Sequence, residues 1–331
     1  MKIAVLGAGA WGTALAMQIS KRHPVKLWSR NERHISQMAA ARRNTQYLGD
    51  YLLGDNISLE SDLSTAIREA DLVLSVVPTA GFREVLRQIK STRSGVPVVW
   101  ASKGLEPASS QLPHEVVLEE LGPHTAWSWG VVSGPSFADE LVRGLPTAVT
   151  LASPDEAFAQ RAAAVLHDGN LRVYTSPDII GVSVGGALKN VMAIAAGICD
   201  GMEFGNNARA ALISRGLAEM TRFGVCLGGK RETFMGLAGA GDLILTCTGQ
   251  YSRNREVGLR LASGQTLEQI LHSLGHVAEG VHTAHEVMRR AAQLKVEMPI
   301  TCEVDQVLSQ GQSPRKALEN LLSREQKAET L

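Results

Sequence analysis

The chain has 331 residues, 44% hydrophobic and 20% charged, which is enough for roughly two domains with packed cores and excludes a disordered chain. Thirty-three basic residues balance thirty-three acidic ones, so the protein is not built to hold DNA or RNA, although a local basic pocket for a small phosphate stays open. Cys199, Cys226, Cys247 and Cys302 form no CxxC pair, the histidines and cysteines show no zinc-ligand spacing, and no apolar run approaches the ~18 residues of a membrane span. A reducing cytoplasm, without membrane insertion, is the expectation.

The first half alternates between two patterns. Short β-branched or apolar runs at residues 2–6, 25–28, 72–77, 96–101, 131–132 and their approach, 147–151 and 171–174 read as strands. Helical patterns fill most of the gaps, at 12–21, 32–42, 82–89, 114–121 and 155–166. Strands separated by helices imply βαβ units and a mostly parallel, doubly wound sheet. Beyond about Ser176 the strand signal fades and long helical stretches follow at 179–199, 208–226, 255–262, 267–274, 281–294 and 301–309. The expected fold is thus an α/β Rossmann-type domain over residues 1–180 followed by an all-α domain over 181–331, with the boundary in 176–186. The polar tail from Ser323 is expected to fray.

The run from Lys2 to Ala16 has the composition of a secretion signal, but glycines interrupt it at positions with another meaning. Gly7-Ala8-Gly9-Ala10-Trp11-Gly12 is a G-x-G-x-x-G that leaves a strand and opens a helix. In such a turn Gly7 permits the bend, Gly9 lets a pyrophosphate approach the backbone, Gly12 lets helix pack on strand, and the helix N-terminus faces the phosphates. The second strand ends at Trp28-Ser29-Arg30, where a NAD-specific domain carries an acid for the ribose. With Arg33 one turn on, Arg30 suits a 2′-phosphate and favours NADP over NAD; two solvated arginines are the alternative.

A nicotinamide enzyme acting on an alcohol must move a proton as well as a hydride. The histidines, among them His23, His34 and His124, sit in unpersuasive contexts. Lys189 lies in a long apolar stretch in which it and Asn190 are the only strongly polar side chains; a desolvated lysine can serve as general acid or base. Gly185 and Gly186 are expected to leave room for a ligand there. Lys103 follows a strand and is either a second cation beside Lys189 or a surface lysine. Gly134-Pro135-Ser136-Phe137-Ala138 is either an anion-binding turn or a plain βα turn with Ser136 as helix cap. Asp242 is placed to orient a lysine or a substrate hydroxyl. Ser252 is the expected cap of a helix whose start would present Arg253 and Asn254 to a phosphate. Glu279, in Val277-Ala278-Glu279-Gly280, is an acid within reach of a cofactor ribose.

These motifs together resemble the bacterial NAD(P)-dependent glycerol-3-phosphate dehydrogenase family over nearly the whole chain. The likeness rests on GAGAWGTALA from Gly7, WASKGLE from Trp100, SGPSFADEL from Ser133, GGALKNVMAIAAG from Gly185, GLAGAGDLILTCT from Gly236, SRNR from Ser252 and VAEG from Val277. The resemblance implies interconversion of glycerol 3-phosphate and dihydroxyacetone phosphate, supplying the backbone of phospholipids, with Lys189 as proton acceptor. It implies substrate contacts at Lys103, Gly134, Ser136, Lys189, Asp242, Ser252, Arg253 and Asn254. It implies cofactor contacts at Ala10, Trp11, Arg30, Lys103, Ala138, Arg253, Val277 and Glu279. The family often has serine where this chain has Ala10, which leaves a backbone contact there. An apolar helical domain points further to a homodimer. A β-hydroxyacid dehydrogenase of the same plan and a non-catalytic dinucleotide sensor are the rival readings.

Overall fold

The computed structural model describes residues 1–122, 127–274 and 278–325. The α/β part runs β1 (Ile3–Leu6), α1 (Ala10–Ser20), β2 (Val25–Trp28), α2 (Glu32–Ala41), β3 (Ile57–Glu60), α3 (Leu63–Ile67), β4 (Leu72–Ser75), α4 (Thr79–Thr92), β5 (Val98–Trp100), α5 (Pro113–Leu121), β6 (Trp129–Ser133), α6 (Ala138–Val142), β7 (Thr147–Ala152), α7 (Glu156–Leu166) and β8 (Leu171–Ser176). The eight strands form one sheet in the order β3-β2-β1-β4-β5-β6-β7-β8, parallel throughout except where β7 meets β6.

Sequence dictates the central strands. Ile-Ala-Val-Leu of β1 and Leu-Val-Leu-Ser of β4 are buried at every residue, because helices cover both faces of the sheet. Alternate side chains enter different cores: Ile3 and Val5 pack with Leu15, Ile19 and Leu27 on one face, Ala4 and Leu6 with Phe82, Leu86 and Trp100 on the other. Because β1 pairs with both β2 and β4, the chain leaving β1 enters the crevice where the winding reverses, and the glycine turn lies there.

After β8, among the described residues, only helices occur: α8 (Ile179–Gly201), α9 (Gly205–Cys226), α10 (Arg231–Met235), a π-helical turn (Leu237–Gly241), α11 (Asp242–Thr248), α12 (Arg253–Ala262), α13 (Leu267–Leu274), α14 (Glu279–Leu294), α15 (Pro299–Gln310) and α16 (Pro314–Leu322). α8 is the axis of this part. Asp178 caps it, accepting from Gly181 N at 2.8 Å, and ties it to α10 through Lys230 N at 2.8 Å and Thr233 Oγ1 at 2.6 Å. The two helices α8 and α12 touch backbone to backbone. A Cβ on Gly258 would stand 2.1 Å from the Ile194 carbonyl oxygen, so only glycine fits the crossing.

One expectation is corrected here. α8 does reach the length and apolarity of a membrane span, with a mean hydropathy of 1.6 in its most apolar window. That window is 94% buried within the protein, so α8 is a core helix; its apolar character answers to α9, α11, α12 and α14 packed around it.

Candidate active site

The site grows from loops at the carboxyl ends of the parallel strands and from the helices that face them. The turn after β1 behaves as its glycines require. Gly7 has φ +117°, and a Cβ on Gly12 would lie 1.9 Å from the Gly7 carbonyl oxygen. A Cβ on Gly9 would meet no protein atom within 4 Å, and α1 starts at Ala10 and Trp11 with no side-chain cap on its first N–H groups. That turn fits a dinucleotide pyrophosphate, with backbone donors aimed at it and nothing of the protein in its way. Arg30 is exposed just past β2, and Asn31 rather than either arginine caps α2. Ala138 opens α6, half-buried.

Lys189 is 8% exposed in the middle of α8, and two of the three donors of its ammonium reach α11. Nζ donates to Asp242 Oδ1 at 2.6 Å and to Thr246 Oγ1 at 3.0 Å. Lys103, from the loop after β5, donates to the other carboxylate oxygen of Asp242 at 2.8 Å and approaches the Gly134 carbonyl oxygen at 3.4 Å. One buried carboxylate therefore holds two lysines, one from each half of the chain. The π-helical turn ends at Gly241, and α11 begins at Asp242, whose carboxylate meets Lys189 of α8.

The electrostatics follow from that arrangement. Burial, reinforced by the neighbouring charge of Lys103 and opposed by Asp242, brings the Lys189 ammonium down from 10.5 to about 8. Burial alone would push the Asp242 carboxyl up; the two ammonium groups outweigh it and hold it below the ordinary carboxylate range. Cys247, on the next turn of α11, is pushed up to about 12 by burial and stays a thiol. Two cations against one anion leave the site with a surplus positive charge, suited to a phosphorylated substrate. Lys189 is poised to hold or release a proton near neutrality.

Around this triad the other expected residues are placed as follows. Asn190 donates to the Lys103 carbonyl at 3.2 Å and accepts from Asn254 Nδ2 at 3.0 Å, while Asn254 Oδ1 accepts from Gly280 N at 3.0 Å. Asn254, in the first turn of α12, is thus a buried link between α12, α8 and α14. Ser252 caps α12 as expected, accepting from Arg255 N at 3.2 Å, and leaves Arg253 exposed on the first turn. Glu279 accepts from Thr79 N at 2.9 Å and Thr79 Oγ1 at 3.1 Å, so it joins the start of α4 rather than projecting from a loop. Burial pushes its carboxyl up, against the pull of Thr79, Lys103 N–H and Arg253. Val277, like His124, lies outside the described residues.

Two expectations change. Ser136 does not cap a helix: Phe137 occupies that position without a side-chain bond, and Ser136 Oγ donates to the Gly134 carbonyl at 2.9 Å. Gly185 and Gly186 do not make room for a ligand, because the protein's own chain fills the space. A Cβ on Gly185 would lie 2.3 Å from the Ala238 carbonyl, and one on Gly186 would press on Ser133 Oγ at 2.8 Å and on the Lys103 stem at 3.4 Å. Sequence reasoning also missed Thr246 and Thr79; Thr246, four residues past Asp242 on one helix face, carried a legible signal.

The model of the NAD-dependent glycerol-3-phosphate dehydrogenase N-terminus matches residues 2–159, and that of the C-terminus of the same family matches residues 178–319. Glycerol-3-phosphate dehydrogenase (NAD(P)+) of Methylobacillus flagellatus is 71% identical over 331 residues, covering 100% of both chains. That of Aromatoleum aromaticum is 54% identical over 330 residues, 99% of this chain and 100% of the relative. The crystal structure of glycerol-3-phosphate dehydrogenase from Coxiella burnetii superposes with a TM-score of 0.94 at 42% identity, over 98% of this chain and 99% of that one. The chain is a member of the NAD-dependent glycerol-3-phosphate dehydrogenase family.

Proposed function

We propose that Lys189 gives and takes the proton in the reaction of this family, the NAD(P)-dependent interconversion of sn-glycerol 3-phosphate and dihydroxyacetone phosphate, which this chain catalyses. The observation that carries the proposal is the buried Lys189–Asp242–Lys103 triad, in which burial, opposed by the carboxylate and aided by the second lysine, brings Lys189 to about 8. Residues 1–180 form the dinucleotide domain and residues 181–331 the substrate domain.

The glycine turn, with Gly7, Gly9 and Gly12, and the backbone of Ala10 and Trp11 hold the pyrophosphate. Arg30 holds the ribose end and favours NADP(H). Ala138, Lys103, Arg253, Val277 and Glu279 complete the cofactor contacts. When bound, the nicotinamide supplies or accepts the hydride. In reduction the charged Lys189 donates to the carbonyl oxygen; in oxidation the neutral amine takes the hydroxyl proton. Asp242 orients Lys189, and Lys103 adds positive charge beside the same oxygen. Gly134 and Ser136 line the turn facing the triad. Ser252 fixes the start of α12, so that Arg253 and Asn254 grip the phosphate, and binding energy remote from the reacting carbon aligns the substrate.

The assignment of NADP preference, a homodimer, a cytoplasmic setting and a role in phospholipid synthesis belongs to the same proposal. Four free cysteines support a reducing compartment. The test is absorbance at 340 nm with purified protein, dihydroxyacetone phosphate and NADPH or NADH. Loss of absorbance with this substrate and none with β-keto acids is the expected result. Turnover of β-keto acids instead would overturn the substrate assignment.

A further inference from the structure

The loop that carries Lys103 to α5 has an unusual shape, and its tip is bound by one helix, α14. Ala108 and Ser110, at its tip, both have left-handed backbones, with φ +70° and +57°, which residues bearing a Cβ rarely adopt. Glu286 of α14, 6% exposed, accepts from Ala108 N at 3.0 Å and from Ser110 Oγ at 2.5 Å. Arg289 donates to the Ala108 carbonyl at 2.9 Å and to Glu286 at 3.1 Å.

This contact is part of a line. Along one face of α14, at i, i+4, i+7 and i+11, Glu279 binds Thr79, Thr283 packs over Gly104, Glu286 binds the loop tip and Arg290 pairs with Glu115 at the start of α5. A Cβ on Gly104 would come within 2.8 Å of Thr283 Oγ1, so α14 presses on the residue next to Lys103. Leu105 and Leu112 at the two ends of the loop are buried in the helical core. From its own domain the loop neck is held by Arg83, through Glu106 at 2.8 Å and Gln111 at 2.6 Å, but nothing on that side satisfies the Ala108 N–H and the Ser110 hydroxyl.

We propose that Glu286 is a positioning residue for the reaction: by clamping the left-handed tip of the 104–112 loop to α14, it fixes Lys103 against Asp242 and so completes the site from across the domain boundary. The proposal rests on the assignment of Lys103 to the site made above. Loss of the carboxylate releases two donors and takes away α14's main grip on the tip, leaving Arg289 on the Ala108 carbonyl and the loop's own bond from Ser110 N to the Glu106 carbonyl at 3.0 Å. The loop then relaxes toward ordinary backbone, and Lys103 at its root no longer meets Asp242 in one geometry. Glutamine preserves both bonds, because its carbonyl oxygen can accept from Ala108 N–H and its amide can donate to a rotated Ser110 hydroxyl.

The experiment is a double-mutant cycle on the intact enzyme, with kcat and KM for dihydroxyacetone phosphate read at 340 nm. Glu286→Ala is expected to lower kcat/KM by up to ~10²-fold, the scale of a misplaced group, while Glu286→Gln keeps most of it. In a Lys103→Met background Glu286→Ala should cost nothing further, since its effect runs through Lys103. An equal loss in both backgrounds, or wild-type activity in Glu286→Ala, overturns the proposal. Should Lys103→Met itself retain full activity, the assignment of Lys103 falls first, and that result is distinct from an additive cycle. If Glu286→Ala does not fold, Ser110→Ala takes its place in the cycle; it removes one of the two bonds, and the same dependence on Lys103 is required of its smaller loss.

Discussion

Replacing Lys103 by methionine should raise the pH at which Lys189 loses its proton. Lys189 stands at about 8 because burial, then the charge of Lys103, outweigh the support of Asp242. The two ammonium nitrogens bond different oxygens of one carboxylate, at 2.6 and 2.8 Å; Cys247, a thiol at neutral pH, adjoins Lys189 and Asp242, and the buried Glu279 accepts from the Lys103 backbone N–H. At a separation of roughly 5 Å and an effective dielectric near ~20 the repulsion between the two ammonium groups is about 3 kcal/mol. That is a ceiling of about 2 pH units, and since burial carries the larger share, a rise of about one unit is expected. The assay is the pH profile of kcat/KM in each direction. Reduction needs the charged lysine, so it falls as pH rises through about 8 in the wild type; oxidation needs the neutral amine, so it rises through the same point. In the methionine variant both breaks should move up together, whatever the change in absolute rate. Stability carries the same sign: the folded chain binds fewer protons than the unfolded one between about 8 and 10.5, so the unfavourable contribution of Lys189 is full below that window and fades as pH rises across it. A break that stays in place or moves down would refute the coupling of the two lysines.

Arg253→Ala should chiefly raise the KM for dihydroxyacetone phosphate, by roughly 10–100-fold for a lost charge-assisted hydrogen bond of about 1.5–3 kcal/mol. A change confined to cofactor affinity would move Arg253 to the cofactor site. Arg30→Ala should lower kcat/KM for NADPH and leave that for NADH unchanged; an equal effect on both would mark Arg30 as a solvated surface residue. Gly258→Ala should lower stability by about 1–3 kcal/mol, because its Cβ meets the Ile194 carbonyl and forces α12 from α8. An unchanged urea midpoint would show that the crossing tolerates a side chain.

The alternation of apolar runs and helical patterns exposed most of the sheet to sequence reasoning, because strands buried on both faces have no choice but to be apolar. What stayed hidden was polar or short. β3 is an edge strand with only Ile57 buried, so its sequence carries no apolar run. The π-helical turn, Leu-Ala-Gly-Ala-Gly, reads as a loop because its glycines are weak helix formers; its packing against α8 decides its shape. Lys189 was legible as a lone cation in an apolar helix. Asp242 was legible as an acid able to orient a lysine or a substrate hydroxyl, but not as one carboxylate shared by two lysines, since that depends on how the two halves of the chain meet. The role of Gly185 and Gly186 was misjudged for a similar reason: small residues mark close approach, and sequence does not say whether a ligand or the protein's own backbone approaches. Glu286 gave no local signal, because its partners lie 176 and 178 residues away.

The most direct test of the central claim is steady-state reduction of dihydroxyacetone phosphate by Lys189→Ala, followed at 340 nm beside a circular dichroism check of the fold. Loss of the proton donor predicts a fall in kcat of about 10²–10⁴-fold, with the fold intact and cofactor affinity preserved. Turnover within a few-fold of the wild type would remove Lys189 from proton transfer and leave the triad as a structural ion pair.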